Sequence, residues 1–507
     1  MDGSSLPLNQ SDMPIVAALR ELADRPQARF YLPGHKGGPG SPEALRQWWG
    51  EALWRADLPE LPDFDNLFAP EAAIAAAQQL AAQAFGADRT WFLCNGSTAG
   101  AIAALSAVCR PGDRVLLPRN AHQSAIAGLI HCGAMPVIAA PNYDRAWDLD
   151  RGLTPETVAL AIERYPDLAA ILVVSPNYYG QSCDLAEIVA IAHQHHARST
   201  PNLPSNPTSN PNRSIPVIVD AAHGSHFAFH PGLPASALAS GADLVIESTH
   251  KTLGALSQAA MLHLQGDRVD PDRVDRALAC VQSTSPNALL LASLDAARQQ
   301  MAMQGRSLLD RTLALADRFR SGLHDRGWVV LGDRGLTDRF DRTRITVRTA
   351  DAGFSGYDAD DFLYARGVAA ELPTDRHLTF VVTIGNTEAD IDRALAAFRD
   401  LEALRSPVKP DPSSDHAIPL PISPPFSEPV IRPRDAFFRP SETIALTDSR
   451  DQLSAATLCP YPPGIPLLIP GERITQAAID TLQQILAAGG TVTGWSQPGW
   501  VRVVCDR

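Results

Sequence analysis

Ala242-Asp243-Leu244-Val245-Ile246-Glu247-Ser248-Thr249-His250-Lys251-Thr252-Leu253-Gly254-Ala255 decides how the rest of this chain is read. Its opening apolar run reads as a buried strand. A small, polar loop follows and carries one lysine at the strand's end. A lysine amine attacks only after losing its proton, and a partly desolvated position favours the neutral form. The flanking Ser248 and His250 are natural phosphate donors by residue type. Upstream, Val217-Ile218-Val219-Asp220 is a second apolar run, and it ends in a carboxylate. The spacing from Asp220 to Lys251 fits one crossover and one further strand. Both side chains can then face one crevice beyond the strands' carboxyl ends.

Further outward, strands and helices alternate. Strands are expected at 90–94, 115–117, 168–174, 217–219 and 244–246, and helices at 99–109, 123–132 and 185–196. Short helices are also expected over 13–27 and 70–86, the latter opening on Pro70-Glu71 and closing at Gly86. This alternation predicts an α/β class with a mainly parallel, helix-covered sheet. Residues 199–214, rich in Ser, Pro and Asn, read as a mobile surface insertion. Two amphipathic helices, near 288–303 and 306–325, lead away from the sheet. Strands at 344–347 and 378–383 with helices at 358–366 and 388–404 make a smaller α+β unit. The resulting division is an N-terminal segment (1–30), a large domain (31–325), a small α+β domain (326–405), a proline-rich linker (406–430) and a C-terminal unit (431–507).

The chain has 507 residues, more than one core accommodates. Its formal net charge is −13 and no basic block stands out, which argues against nucleic-acid and membrane-surface partners. The seven cysteines are scattered, with no CxxC pair, as in a reducing compartment. Residues 1–11 are polar without a signal-peptide pattern, and no apolar stretch reaches membrane-spanning length. A cytoplasmic location is the expectation.

A lysine and an aspartate on two strand ends are the two groups that pyridoxal 5'-phosphate needs most. Asp220 can hold the pyridine nitrogen protonated; read alone, it serves equally as a helix N-cap. Asn95-Gly96-Ser97-Thr98-Ala99-Gly100 joins a strand to a helix and offers amides, two hydroxyls and a positive helix end. Alone it is a small-residue turn; beside Lys251, Gly96, Ser97 and Thr98 become a phosphate cradle. His193, His195 and His196 lack a carboxylate or Cys partner at ligand spacing, and no metal site is expected. A catalytic role for Cys94 is not expected, since no base is paired with it.

Together these residues resemble the bacterial Orn/Lys/Arg decarboxylase family, fold type I (aspartate-aminotransferase-like) enzymes that use pyridoxal phosphate. The likeness runs from Pro33-Gly34-His35-Lys36-Gly37-Gly38 through Ser248-Thr249-His250-Lys251-Thr252-Leu253 and Thr284-Ser285-Pro286 with Ala292-Ser293-Leu294-Asp295. It continues to Pro433-Arg434-Asp435-Ala436-Phe437-Phe438 and Cys459-Pro460-Tyr461-Pro462-Pro463-Gly464-Ile465-Pro466. It implies that 431–507 is the family's C-terminal domain. It implies a Schiff base on Lys251, with Asp220 on the pyridine nitrogen and His122 stacked on the ring. Ser97, Thr98, Ser248 and His250 would surround the phosphate, and Ala222 and His223 would line cofactor and substrate. Ser283 or Thr284 would reach the neighbouring subunit's phosphate in a homodimer or larger assembly. Only about 30 residues precede the Pro-Gly-His-Lys motif, so a short form is expected, without the extra N-terminal domain that the family's large members carry. Asn287-Ala288 stands where relatives often carry an aromatic residue.

The implied reaction is decarboxylation of arginine, lysine or ornithine to agmatine, cadaverine or putrescine plus CO2, in polyamine metabolism. A proton for Cα would come from Lys251 or His223. A basic substrate needs an acidic anchor, and Glu371 reads either as that anchor or as a surface glutamate. An aminotransferase or aldolase on the same scaffold is the alternative. An aminotransferase would want an arginine for the α-carboxylate, and the sequence does not place one.

Overall fold

The computed structural model describes residues 9–195, 214–332, 338–405, 425–461, 464–487 and 489–505. Residues 199–213 of the insertion and most of the linker at 406–430 lie outside them.

The alternating pattern folds into one eight-stranded sheet. Its strands are β1 (Arg89–Leu93), β2 (Arg114–Pro118), β3 (Met135–Ala139), β4 (Leu168–Val174), β5 (Val217–Asp220), β6 (Leu244–Glu247), β7 (Ala260–Leu264) and β8 (Phe426–Ser427). They lie in the order β1-β7-β6-β5-β4-β2-β3-β8. The pairings from β3 through β2, β4 and β5 to β6 are parallel. Those of β6 with β7, β7 with β1 and β3 with β8 are antiparallel. Covering helices make the middle strands apolar on both faces. Val219 and Val245 enter one buried cluster, Ile218 and Ile246 the other. The expected α/β class with a mainly parallel sheet is what forms.

Two expectations need correcting. Residues 288–325 are not two helices but one, Ala288–His324, of 37 residues. Gly305 lies in the expected gap between them. A Cβ there would meet Phe229 Cβ at 3.1 Å and Met301 Cε at 3.2 Å, so the glycine admits a close neighbour while the helix runs on. The end of the supposed linker is also structured, because Phe426–Ser427 adds an edge strand to the large sheet.

The long helix links large and small units. Near its start, Arg298 and Asp295 form a buried ion pair, and Asp295 Oδ2 accepts from Ile15 N at 2.9 Å, which fixes the helix Pro14–Asp24. Near its end, Arg320 donates to the carbonyls of Arg342, Leu331 and Arg344. These belong to the small unit, where Arg344–Arg348, His377–Val381 and Leu372–Pro373 form an antiparallel sheet. Gly356–Tyr364 and Glu388–Glu402 pack on it with a core of their own.

The C-terminal unit pairs Ser441–Ala445 with Trp500–Val504 and Cys459–Tyr461 with Thr491–Thr493, around the helix Gln476–Ala487. It docks on the large unit through polar contacts. Arg119 holds Glu472 with two bonds, at 2.5 and 3.0 Å, and Gln123 N donates to Gly464 O at 3.1 Å. Gly464 has φ +88°, and a Cβ there would stand 3.1 Å from His122 Nε2, so this turn needs glycine on both counts.

Candidate active site

β5 and β6 end side by side and deliver Asp220 and Ser248 to the same edge of the sheet. One helical turn, Thr249–Thr252, then presents Lys251. Its Nζ lies 3.1 Å from His223 Nε2. Arg344 Nη2 lies 2.8 Å from His223 Nδ1. A guanidinium only donates, so Nδ1 accepts and the neutral ring carries its proton on Nε2. Nε2–H then points at Lys251 Nζ, which accepts as a free amine. The electrostatics agree. Burial lowers the Lys251 pKa and Arg344 lowers it further, against Asp220 and Glu371. Burial, with Lys251 and Arg344, holds His223 well below the ordinary imidazole range. Tyr178 packs on His223 with ring centroids 4.6 Å apart.

These groups open on a cavity of about 270 Å³. Gly96, Ser97, Thr98, Ser248, His250 and Lys251 line it with His122, His223 and Glu371. Tyr178, Leu372 and Tyr461 complete the wall, so all three units contribute. At one end Ser248 Oγ donates to Ser97 Oγ at 2.8 Å, beside the start of the helix Gly96–Val108. Asn95 makes no side-chain cap there; its Oδ1 accepts from Ser283 N instead. The positive helix end is thus available to an anion. His250 donates Nδ1–H to Ala259 O at 2.9 Å, so its Nε2 can donate to an anion only in the imidazolium form. Burial lowers the pKa of His250.

Asp220 is buried and outside the cavity lining, with Oδ1 accepting from Ala222 N at 3.2 Å. Ala222 is buried and off the cavity wall. His122 caps the helix Gln123–Cys132, its Nδ1 accepting from Ser124 N at 3.2 Å, and burial lowers its pKa. Ser283 and Thr284 are exposed and lie outside this cavity. Glu371 lies on the wall, exposed, with its N–H bonded to Thr379 O. His193 pairs with Asp243 at 2.8 Å, and among the described residues no three acidic, His or Cys groups form a metal cluster. Burial pushes the Cys94 thiol up to about 12.

Sequence reasoning missed three groups. Tyr178 follows the carboxyl end of β4, and that position was its signal. Tyr461 lay inside the quoted Cys-Pro-Tyr-Pro-Pro-Gly motif without a role. Arg344 has no local signal, since only the fold brings a small-unit strand against His223. Its Nη2 is committed to that imidazole, and it does not line the cavity.

The chain matches two family models, "Orn/Lys/Arg decarboxylase, major domain" over residues 13–333 and "Orn/Lys/Arg decarboxylase, C-terminal domain" over 423–498. It is 34% identical to an arginine decarboxylase of Bacillus subtilis over 494 residues, 96% of each chain. Its fold is similar to that of lysine decarboxylase A from Pseudomonas aeruginosa, with TM-score 0.81 and 22% identity over 97% of this chain and 80% of that one. A more distant likeness is to an L-threonine transaldolase of Pseudomonas fluorescens solved in its internal aldimine state, with TM-score 0.51 and 18% identity over 65% and 72% of the two chains. Matched by both family models, and 34% identical to that arginine decarboxylase over 96% of its length, this chain belongs to the Orn/Lys/Arg decarboxylase family of carboxy-lyases.

Proposed function

We propose that this chain removes the α-carboxylate of a basic L-amino acid, arginine, lysine or ornithine, with pyridoxal phosphate, giving the amine and CO2 for polyamine metabolism. The carrying observation is that Lys251 faces Nε2–H of His223 in a cavity with phosphate donors at one end. The donor set fits the cofactor. Ser97, Thr98, Ser248, His250 and the helix start would hold its phosphate. Lys251 would bind its aldehyde and Asp220 its ring nitrogen, with His122 and His223 beside the ring. When bound, the cofactor supplies the sink for the electron pair left as CO2 departs.

The chain's own residues do the rest. Lys251 enters as a free base, so it needs no proton removed before it reacts. Lys251 Nζ or His223 Nε2, 3.1 Å apart, would deliver the proton to Cα, Lys251 after taking up the proton that the substrate's ammonium sheds. Glu371 would take the substrate's cationic head, and Tyr461 and Leu372 narrow the mouth. Ser283 or Thr284, exposed next to the Asn95 loop, would reach a neighbouring subunit in a homodimer or larger. No helix among the described residues is long and apolar enough to cross a membrane, which supports a cytoplasmic location.

The test incubates the protein with pyridoxal phosphate and each of the three amino acids, and measures CO2 and amine. One amine, absent with Lys251→Ala, is the expected result. Bound cofactor with no CO2 from any of the three would refute the basic-amino-acid reading.

A further inference from the structure

Arg344 is buried, belongs to the small unit, and spends its Nη2 on an imidazole of the large unit. Much of the fold serves its placement. Arg320, on the long helix, donates to the Arg344 carbonyl. Gly180 leaves room for its stem, since a Cβ there would meet Arg344 Cγ at 2.8 Å and Asp341 O at 3.0 Å. Asp341 Oδ2 stands 3.9 Å from Arg344 Nε and 3.2 Å from His226 Nε2, while its Oδ1 accepts from Thr343 N and Oγ1. Burial pushes the Asp341 carboxyl up, but His226 and Arg344 outweigh it and hold it down at about 2.

We propose that Arg344 is a positioning residue that fixes the His223 tautomer and thereby keeps Lys251 a hydrogen-bond acceptor. Without the guanidinium, the imidazole is free to move its proton to Nδ1 and turn a bare Nε2 toward the lysine. A bare Nε2 invites an ammonium. Arg344 excludes that state twice, by its donor at Nδ1 and by its own charge. Asp220 and Glu371 favour the ammonium. His122, His223, His250, Tyr178 and Tyr461 are the other titratable groups around it. The inference rests on the reading of Lys251 as the reactive amine, and adds that the small unit arms it.

The test is competitive acetylation by acetic anhydride of the full chain freed of cofactor, across pH 6 to 10. Mass spectrometry follows Lys251, with Lys36 as the internal reference. Arg344→Met is expected to raise the Lys251 midpoint by about one pH unit, an about tenfold slower reaction at pH 8. Arg344→Gln, which keeps a donor without the charge, is expected within about threefold of the parent. A Met variant equal to the parent overturns the proposal. A Gln variant equal to the Met variant also overturns it, leaving charge alone. Nitrogen-15 NMR of the parent chain labelled at histidine needs no variant to fold: His223 protonated on Nε2 supports the proposal, and protonation on Nδ1 overturns it. A parent Lys251 no faster than Lys36 at pH 8 defeats both readings. A fast parent lysine with an unchanged Met variant defeats this one alone.

Discussion

Glu371 is the single carboxylate among the described residues lining the cavity, so its substitution isolates charge recognition. It is exposed, and exposed ion pairs contribute at most about 1 kcal/mol, roughly fivefold in binding. Glu371→Gln is therefore expected to raise KM for the basic substrate about fivefold and leave kcat within twofold. An unchanged KM would remove Glu371 from the pocket. Lys251 and Asp220 were readable because each ends an apolar run, a local pattern with a geometric meaning. Arg344 was not, because its meaning lies in a hydrogen bond spanning 121 residues of chain. Glu371 stood between two readings, since short strands around an acidic residue look the same at a pocket and on a surface.

Gly464 governs an element's docking. Its left-handed φ and its approach to His122 oppose any side chain. Gly464→Ala is expected to cost about 1–2 kcal/mol by backbone strain alone. Urea unfolding measures that cost, and the displaced His122 should weaken cofactor binding in a titration. Unaltered values in both would show that the turn relaxes freely. At this scale hydrophobic period placed five of the eight sheet strands, because burial on both faces writes continuous apolar runs, and it passed over Met135–Ala139 and Ala260–Leu264. It failed at Gly305, where a glycine that admits Phe229 looks like one that ends a helix. It failed again at Phe426–Ser427, where two residues are too few to carry a period.

At the scale of the whole molecule, His377 and Asp150 pull stability in opposite directions with pH. His377 is buried against Trp147, and burial, with Arg376 and Arg348, pushes its pKa from 6.5 down to about 3. The unfolded chain binds that proton more tightly, so stability rises with pH between about 3 and 6.5. Burial pushes Asp150 from 3.8 up to about 6, so its contribution is present at low pH and lost as pH rises across that window. The histidine's window is the wider, each pH unit corresponds to about 1.4 kcal/mol, and His223 and His122 act in its direction. Acid should therefore destabilise the protein, and His377→Phe should lose less on going from pH 7 to pH 4. Equal losses in the urea midpoint for parent and variant would contradict this.

The unbroken helix Ala288–His324 is also a lever arm. At 1.5 Å per residue it is a rod about 55 Å long, so a tilt of about 2° at one end swings the other by about 2 Å. Arg320 fastens the moving end to the backbone of Arg344, whose side chain reaches His223 at 2.8 Å. A swing of that size is enough to part the hydrogen bond. On the proposal above, the reactivity of one amine would be geared to the attitude of that rod.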